Sequence, residues 1–181
     1  MYETSVGHNT ALIIDFAPKP DGSLPPEQVS VSAALGSYVS KCYSAPIVAG
    51  SGNESVITLM PSGPVAIDRV LVAEDQRFGQ LIRAFAVTAT LSDGTTATLT
   101  TGTSVGNKFI AVLPKPETVT SVTLNVTAIA AQAATTFPVI KNFAVFACDA
   151  LAEAERAELD ARGFAQPPPS TAAERRKARG Q

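Results

Sequence analysis

The feature that most constrains this chain is a series of short β-forming runs that fills residues 45–149. Seven runs, at residues 56–60, 65–73, 82–91, 95–101, 109–113, 121–129 and 140–147, are separated by segments rich in Gly, Pro, Asn and Asp. Within one run, Val122, Leu124 and Val126 alternate with polar residues and therefore share one face of a strand. About seven short strands in such a length are typical of an antiparallel β-sandwich or jelly roll, so we expect a mainly β fold.

The preceding residues, 1–44, indicate a different local structure, one strand followed by one helix. Residues 11–16 form an almost continuous apolar run, which predicts a strand buried on both faces, as in a parallel sheet. Apolar residues then recur at helical spacing from Val31 to Cys42, after two prolines that suit the first turn of a helix. A parallel strand needs neighbours along its edges, so we expect this β/α unit to belong to something larger.

The residues after the β-rich region divide into two further parts. Residues 150–166 carry apolar residues among acidic and basic ones, which predicts a short surface helix. Residues 167–181 begin with three prolines, hold a cluster of Arg and Lys, and contain no core-forming residue. This composition predicts a disordered basic tail, for which a solvated terminus is the plainer interpretation and an anion-binding or localisation signal the alternative.

The charge and residue-type composition narrows the functions that the chain can have. Residues 1–149 carry 8 basic and 11 acidic side chains, whereas nucleic-acid binders ordinarily have a basic excess. One His and two Cys are too few for a conventional zinc site, and the few acidic side chains do not make a calcium site. The apolar runs are much shorter than the roughly 20 residues that span a bilayer. We therefore predict no metal, no nucleic acid and no membrane partner.

Several motifs resemble those of α-L-fucosidases, the family-29 glycoside hydrolases. Ser-Val-Gly-His-Asn-Thr, Leu-Ile-Ile-Asp and Asp-Gly-Ser-Leu-Pro, within residues 5–25, resemble the last barrel strand and loop of that family. The predicted helix ends in Tyr-Val-Ser-Lys-Cys-Tyr, similar to the final barrel helix. Glu-Asp-Gln at residues 74–76, the loop at residues 102–108 and Phe-Ala-Val-Phe at residues 143–146 resemble the discoidin-like (coagulation factor 5/8 type C-like) sandwich that follows the barrel.

The resemblance implies that the chain is the C-terminal part of such an enzyme. Residues 1–44 would be the terminal β/α unit of a truncated (β/α)8 barrel, and residues 45–149 the discoidin-like sandwich. The complete enzymes hydrolyse terminal α-linked L-fucose with two carboxylates, a nucleophile and an acid/base, without a metal or organic cofactor. In the family both carboxylates lie upstream of the last barrel strand, so no catalytic residue is assigned and the chain alone is predicted to be inactive.

Two other interpretations stay open at this point. The chain can be a stand-alone, non-catalytic β-sandwich module that binds a carbohydrate or a protein, or a purely structural remnant. The run from Leu12 to Phe16 distinguishes them, because an orphan strand must be covered. If the chain works alone, we expect the strand to be paired or covered, for instance in an oligomer. If it is a fragment, the missing barrel portion covers the strand in the whole protein, and in this chain we expect the strand to be exposed and to cause aggregation.

Two places are candidates for contact with a fucosylated glycan. Asp15 lies at the carboxyl end of the predicted strand, where barrel enzymes bind substrate, so it is a candidate for the rim of the pocket, with a structural acid as the alternative. The polar end of the sandwich offers one aromatic ring and several hydrogen-bonding groups. Its candidate sugar-contact residues are Glu74, Arg77, Phe78, Gln80 and Asn107. The alternative there is a Glu74–Arg77 salt-bridged turn in which Phe78 only packs.

The two cysteines indicate whether the protein is located in an oxidising or a reducing compartment. Cys42 and Cys148 flank the sandwich, and the first and last strands of discoidin-like modules lie close together, so the resemblance implies a disulfide, with two free buried thiols as the alternative. A disulfide requires an oxidising compartment. The family suggests a secreted or vacuolar/lysosomal location, although residues 1–7 lack the character of a signal peptide.

Overall fold

The computed structural model describes residues 1–131 and 138–148. Two helices precede the strands in these ranges, α1 at Tyr2–Ser5 and α2 at Pro26–Tyr43. The predicted start of α2 is confirmed, because Pro26 occupies its first turn, where the missing backbone N–H costs nothing. Neither described helix is both long and apolar enough to be a candidate for crossing a bilayer. The helix predicted at residues 150–166 and the tail predicted at 167–181 lie outside the described residues.

The described residues form seven strands, and every pairing between them is antiparallel. They are β1 Val48–Gly52, β2 Val56–Leu59, β3 Val65–Glu74, β4 Ile82–Leu91, β5 Thr96–Gly102, β6 Phe109–Ile129 and β7 Ile140–Phe146. The strand β1 was missed in the sequence, because its Ala-Gly-Ser-Gly segment has low strand propensity. Pairing with β7 holds it in place, with Val48 opposite Val145.

The strands form a β-sandwich whose two layers share β6. One layer has the order β1-β7-β3-β6 and uses the first half of β6. In the other layer the second half of β6 lies between β2 and β4, and β5 follows at the edge. Leu124 of β6, for example, lies opposite Ile57 of β2 and Val87 of β4. The predicted mainly β fold is therefore confirmed.

The strand β6 corrects the sequence prediction of two separate strands around Pro114 and Pro116. It continues without a break through both prolines. The prolines lie where the pairing with β3 shifts register, between the Arg69–Val112 pair and the Ile67–Glu117 pair. Proline has no backbone N–H to donate, and such an irregularity in the ladder is where a strand tolerates it. Pairing on both sides of the shift keeps the strand continuous.

Apolar side chains from both layers fill the space between them. Val122, Leu124 and Val126 are at most 7% exposed, whereas Asn125 between them is exposed, so the alternation read in the sequence is confirmed. The main core consists of these residues together with Leu59, Ile67, Val70, Val72, Ile82, Phe85, Val87, Ala89, Val105, Ala111, Leu113, Val119, Ile140, Phe143 and Val145. Each fully buried Val, Leu, Ile or Phe side chain contributes about 1.5–3 kcal/mol.

The helix α2 covers the outer face of the layer that contains β3 and β7. Leu71 and Phe146 point away from the main core and form a second cluster with Cys42 and the rings of Tyr38 and Tyr43. The rings of Tyr43 and Phe146 meet edge to face, with centroids 5.1 Å apart. Next to α2, β3 and β7 are therefore buried on both faces, and α2 is fixed to the sandwich by apolar and aromatic contacts.

Residues 11–16 do not form the buried strand that the sequence predicts. The structure assigns no strand there, and Ile13 is 83% exposed, Ile14 42% and Phe16 38%. The physical reason is that a parallel strand is stable only with a neighbour at its edge, and the described residues provide none at this place. An apolar run alone does not supply that neighbour. The result is an exposed apolar segment between α1 and α2.

Candidate functional site

The polar end of the sandwich is organised by the buried carboxylate of Glu74. Its Oε1 atom accepts hydrogen bonds from the backbone N–H groups of Leu81 at 2.8 Å and Ile82 at 3.0 Å. Its Oε2 atom accepts one from the backbone N–H of Gly106 at 2.7 Å. The carboxylate thus joins the loop at residues 75–81 to the loop at residues 102–108. At 2% exposure it supports these loops from inside rather than presenting an oxygen to solvent.

Next to it, Asp75 and Arg77 form an exposed ion pair within one short turn. The guanidinium Nη2 of Arg77 lies 2.5 Å from Oδ2 of Asp75, and Nε lies 3.0 Å from both carboxylate oxygens. The backbone N–H of Arg77 also donates to Oδ1, which caps the 3₁₀ turn Gln76–Phe78. These hydrogen bonds from Arg77 hold the pKa of Asp75 at about 2. The alternative of a Glu74–Arg77 salt bridge is therefore wrong, because Arg77 pairs with Asp75 and Glu74 binds backbone.

The other candidates of the polar end lie on the two loops that Glu74 joins. Phe78 ends the 3₁₀ turn, and its side chain lies outside the described part of the structure. Gln80 is half-buried, and its carbonyl oxygen accepts a hydrogen bond from Arg83. Asn107 is exposed, and its backbone N–H donates to Oδ1 of Asn9 at 2.8 Å. The structure thus brings the two loops together, and the sugar-contact role of these residues stays a prediction.

Asp15 lies on the exposed apolar segment, away from the Glu74 loops in the sequence. Its side chain is exposed, between Ile14 and Phe16. The segment is anchored before it by the backbone N–H of Thr10, which donates to Ser5, and after it by the turn in which the N–H of Lys19 donates to Ser23. Its role at a pocket rim stays a prediction.

A second buried carboxylate, that of Glu3, was missed in the sequence. Its Oε1 atom accepts hydrogen bonds from the hydroxyl groups of Tyr38 at 2.5 Å and Tyr43 at 3.0 Å, and Nε of Arg69 lies 4.0 Å away. Burial raises the pKa of Glu3, but the hydrogen bonds from Tyr38 and Tyr43, with its own backbone and the amino group of Met1, outweigh it and lower the pKa overall. The pKa of Tyr38 is raised to about 12, mainly by burial and also by its hydrogen bond to the Glu3 carboxylate and the charge of that carboxylate. No sequence signal marked Glu3, since the cluster forms only when α1 meets α2.

The same layer holds the disulfide and its neighbour Asp68. Cys42, at the end of α2, and Cys148, after β7, form a disulfide with their Cα atoms 5.1 Å apart. Both carboxylate oxygens of Asp68 accept the backbone N–H of Cys148, at 2.9 and 2.8 Å. The side chain of Arg69 lies 3.4 Å from the Asp68 carboxylate. Helix α2, β3 and the end of β7 are thus joined covalently and by charged hydrogen bonds.

The buried acids of the described residues all hold structure together. Glu3 binds two phenols, Asp68 binds the Cys148 backbone, and Glu74 binds three backbone N–H groups. A retaining glycosidase needs two carboxylates about 5–5.5 Å apart across an accessible space. Within residues 1–131 and 138–148, no group of three or more His, Cys, Asp or Glu side chains is placed to hold a metal ion. At the polar end of the sandwich, the polar groups are the hydrogen-bonding groups of the two loops that Glu74 joins and the exposed Asp75–Arg77 ion pair.

In comparison with solved structures, this class of fold, a β-sandwich covered by a helix, matches parts of larger proteins. The chain is similar to a structure assigned as an α-L-fucosidase of Bacteroides thetaiotaomicron, at 29% identity and a TM-score of 0.74, over 81% of this chain and 32% of that one. It shares the fold of a glycoside hydrolase 29 family member from an unknown rumen bacterium, at 22% identity and a TM-score of 0.70, over 81% and 27%. It also shares the fold of a Ruminococcus gnavus GH29 fucosidase, at 18% identity and 0.66, over 81% and 35%.

Of these neighbours, one is described as a glycoside hydrolase 29 family member and another as a GH29 fucosidase, and at 22% and 18% identity they show a shared fold. A match over 81% of the chain is longer than the sandwich and extends beyond it. The chain spans only about a quarter to a third of the length of these proteins. No family model and no curated protein matches the chain.

Proposed function

We propose that this chain is the C-terminal region of an α-L-fucosidase-like glycoside hydrolase, and that the catalytic carboxylates lie outside it. The observation that carries the proposal is the match to the B. thetaiotaomicron structure, which covers most of this chain but only 32% of that protein. The two buried glutamates, Glu3 and Glu74, support this view because hydrogen bonds within the fold already occupy them. On this proposal the complete protein hydrolyses terminal α-linked L-fucose and this chain alone is inactive.

The exposed apolar segment is where the rest of such an enzyme would bind. Ile13, Ile14 and Phe16 expose large apolar surface on a stretch of chain beside which residues 1–131 and 138–148 place no strand. An apolar segment with an unpaired backbone is a ready template for strand addition. The neighbouring proteins have about two thirds of their length outside the match, which is enough chain to provide the missing barrel. Residues 1–44 would then be the terminal β/α unit of that barrel.

Within this proposal the discoidin-like sandwich braces the catalytic region or helps to position the glycan. The candidate loop residues differ in how free they are to touch a sugar. Glu74 is buried and bound to backbone, and Arg77 is tied to Asp75. Gln80 and Asn107, together with Phe78, two residues before Gln80, therefore remain the better candidates for glycan contact, and Asp15 remains the candidate at the pocket rim.

The disulfide suggests where the protein works. Cys42–Cys148 would persist in an oxidising compartment and be reduced in the cytosol of most organisms. We therefore place the protein in a secreted or a vacuolar/lysosomal setting. Disulfide content measured on protein from the native source tests this placement, and two free thiols there would contradict it.

An activity assay with matched binding measurements tests the proposed function. We expect the purified chain not to hydrolyse a chromogenic α-L-fucoside even at high protein concentration. Turnover that Asp15→Ala abolishes would overturn the proposal, because the chain would then carry its own catalytic site.

Calorimetric titration with a fucosylated oligosaccharide and the same oligosaccharide without fucose then separates the two roles of the sandwich. Binding that Gln80→Ala and Asn107→Ala weaken favours glycan positioning, and no binding favours bracing.

A stand-alone, non-catalytic binding module is the second candidate function. The observation that favours it is that the sandwich closes its own core and a disulfide ties its two ends, which are the marks of a unit that folds alone. In that case residues 11–16 must be covered by a second copy. Sedimentation of the purified chain distinguishes the candidates, because a defined, soluble dimer favours this one and heterogeneous aggregates favour the fragment.

A further inference from the structure

The N-terminal segment packs on the rest of the molecule through the buried side chain of Glu3 and the half-buried ring of Tyr2. The Tyr2 ring contacts that of Tyr43, with centroids 5.4 Å apart, and its hydroxyl accepts a hydrogen bond from Lys108. Among residues 1–10 the structure buries only Glu3 and Gly7, and Gly7 has no side chain. The Glu3 carboxylate receives hydroxyl hydrogen bonds from Tyr38 and Tyr43 of α2 and lies 4.0 Å from Arg69 of β3. Three elements, α1, α2 and β3, therefore meet at a single titratable group.

We propose that Glu3 is a proton-operated clasp and the positioning residue for the exposed apolar segment. When ionised, it holds residues 2–10 against α2 and β6 and so fixes where residues 11–16 begin. When protonated, it releases both. The identity of the partner that would bind residues 11–16 rests on the proposed function above. The release of residues 2–16 when Glu3 is protonated is a property of this chain alone.

The contacts that follow Glu3 in the chain show what the clasp holds. The carbonyl oxygen of Gly7 accepts the backbone N–H of Ile110 at 2.7 Å, and the N–H of Asn9 donates to Lys108. Gly7 fits tightly, because a Cβ there would meet the carbonyl oxygen of Glu3 and the Ile110 side chain. These are peripheral bonds at the first residues of β6. On this proposal they depend on the docking of α1, so loss of the Glu3 network weakens them together.

The charges around the carboxylate favour its ionised form. On its own element the amino group of Met1 lies 4.0 Å from Oε2. The helix α2 contributes the two tyrosine hydroxyls, and β3 contributes Arg69, which also faces Asp68. Lys108, just before β6, donates a hydrogen bond to the hydroxyl of Tyr2. The ring of His8, on the N-terminal segment itself, contacts the backbone carbonyl of Glu3 rather than its carboxylate. A proton on Glu3 would therefore remove the negative charge that the amino group of Met1 and the two tyrosine hydroxyls face, and would leave Arg69 facing Asp68.

The direction of the pH effect follows from the pKa of Glu3. Burial raises this pKa, but the hydrogen bonds from Tyr38 and Tyr43 outweigh it, so the folded-state pKa lies below the ordinary value. A lowered folded-state pKa gives a stabilisation that is complete above the unfolded-state pKa and is lost as pH falls through the folded one. The clasp is thus expected to stay closed near neutrality and to open only below a pH of about 4.3.

Amide NMR of the full chain during an acid titration tests the proposal. In the wild type we expect the amides of Asn9 and Ile110, and those of residues 11–16, to shift together in one step below a pH of about 4.3, while β4 amides stay native. In Glu3→Gln we expect that step to vanish. At neutral pH the amides of Asn9 and Ile110 should exchange about tenfold faster in this variant, as expected for a lost charged hydrogen bond.

The matched control is Glu27→Gln, which removes an exposed acid from the first turn of α2. It should leave the acid step and the exchange of Asn9 and Ile110 unchanged. A second variant, with both Tyr38→Phe and Tyr43→Phe, keeps the carboxyl but removes its donors and should move the step to higher pH. Should either glutamate variant unfold β4, the tyrosine variant alone decides. The proposal is overturned if Glu3→Gln keeps the step, or if the tyrosine variant leaves its pH unchanged.

Discussion

The carboxylate of Glu74 accepts a hydrogen bond of 2.7 Å from the backbone N–H of Gly106, which lies 32 residues further along the chain. The same carboxylate binds the N–H groups of Leu81 and Ile82. Buried backbone N–H groups need partners, and two loops at the end of a sandwich cannot find them in the sheet ladder. One acid therefore fixes both loops that carry the candidate sugar contacts, and this relationship can be tested separately from any ligand.

We expect Glu74→Gln to destabilise the protein by about 2–4 kcal/mol, because an amide has one acceptor oxygen where three N–H donors converge. Its NH2 group would face a backbone donor and leave it unsatisfied. Equilibrium unfolding in urea measures this loss. The control is Glu54→Gln, an exposed acid whose substitution should change the free energy of unfolding by less than about 0.5 kcal/mol. Equal stability of both variants would show that Glu74 is not the support of these loops.

The disulfide should stabilise the chain strongly, because it joins residues 106 positions apart. In the chain-entropy model a crosslink over this separation contributes up to about 4–5 kcal/mol. The double variant Cys42→Ser, Cys148→Ser should lose much of that stability in urea unfolding under oxidising conditions. Under reducing conditions the wild type should fall to the level of the variant. A wild type that is insensitive to reductant would argue against this contribution.

The ion pair between Asp75 and Arg77 predicts a pH effect confined to one loop. Hydrogen bonds from Arg77 lower the folded-state pKa of Asp75 to about 2. The contribution of the pair is therefore present above the unfolded-state pKa and fades as pH falls toward 2. In Arg77→Ala the pKa of Asp75 should return toward its ordinary value. Carboxyl NMR shifts followed through an acid titration measure it, and an unchanged pKa would show that Arg77 is not its cause.

Most of the strands could be predicted from the sequence because they carry their own local signal. Val122, Leu124 and Val126 alternate with polar residues, and turn residues separate most runs, so local pattern and final fold agree. The prediction failed where tertiary pairing overrides local preference. The strand β1 depends on β7, β6 continues past prolines that lie at a register shift, and the apolar run at 11–16 lacks the neighbour that a strand needs.

The candidate site could be predicted only in part, for a related reason. The sequence identified the loops that carry Gln80 and Asn107, because polar and Gly-rich segments between strands are recognisable. It did not identify the role of Glu74, whose partners are backbone groups distant in the chain. Glu3 was missed altogether, since no local pattern relates it to Tyr38, 35 residues away. Buried charged groups are visible only once the elements around them are placed.

The exposed apolar segment should make the isolated chain associate with itself. Ile13 is 83% exposed, so Ile13→Asp removes apolar surface without removing a packed side chain. We expect this variant to remain soluble at higher concentration, as measured by light scattering, with an unchanged free energy of unfolding. The contrasting variant is Val87→Ala in the sandwich core, which should cost about 1–3 kcal/mol without improving solubility. If Ile13→Asp unfolds the chain instead, the segment is part of the core after all.

The edge strand β5 offers a test of how tightly the sandwich is closed. At Gly102 an added Cβ would lie 2.6 Å from Cε1 and 2.7 Å from Cζ of the Phe85 ring, which is buried in the main core. Gly102→Ala should therefore force that ring aside and cost about 1–3 kcal/mol by overpacking. Gly63→Ala is the matched control, because nothing lies within 4 Å of its added Cβ. Urea unfolding compares the two. If Gly102→Ala is as stable as Gly63→Ala, the Phe85 ring has room to move, and the core is less closely packed at β5 than its burial indicates.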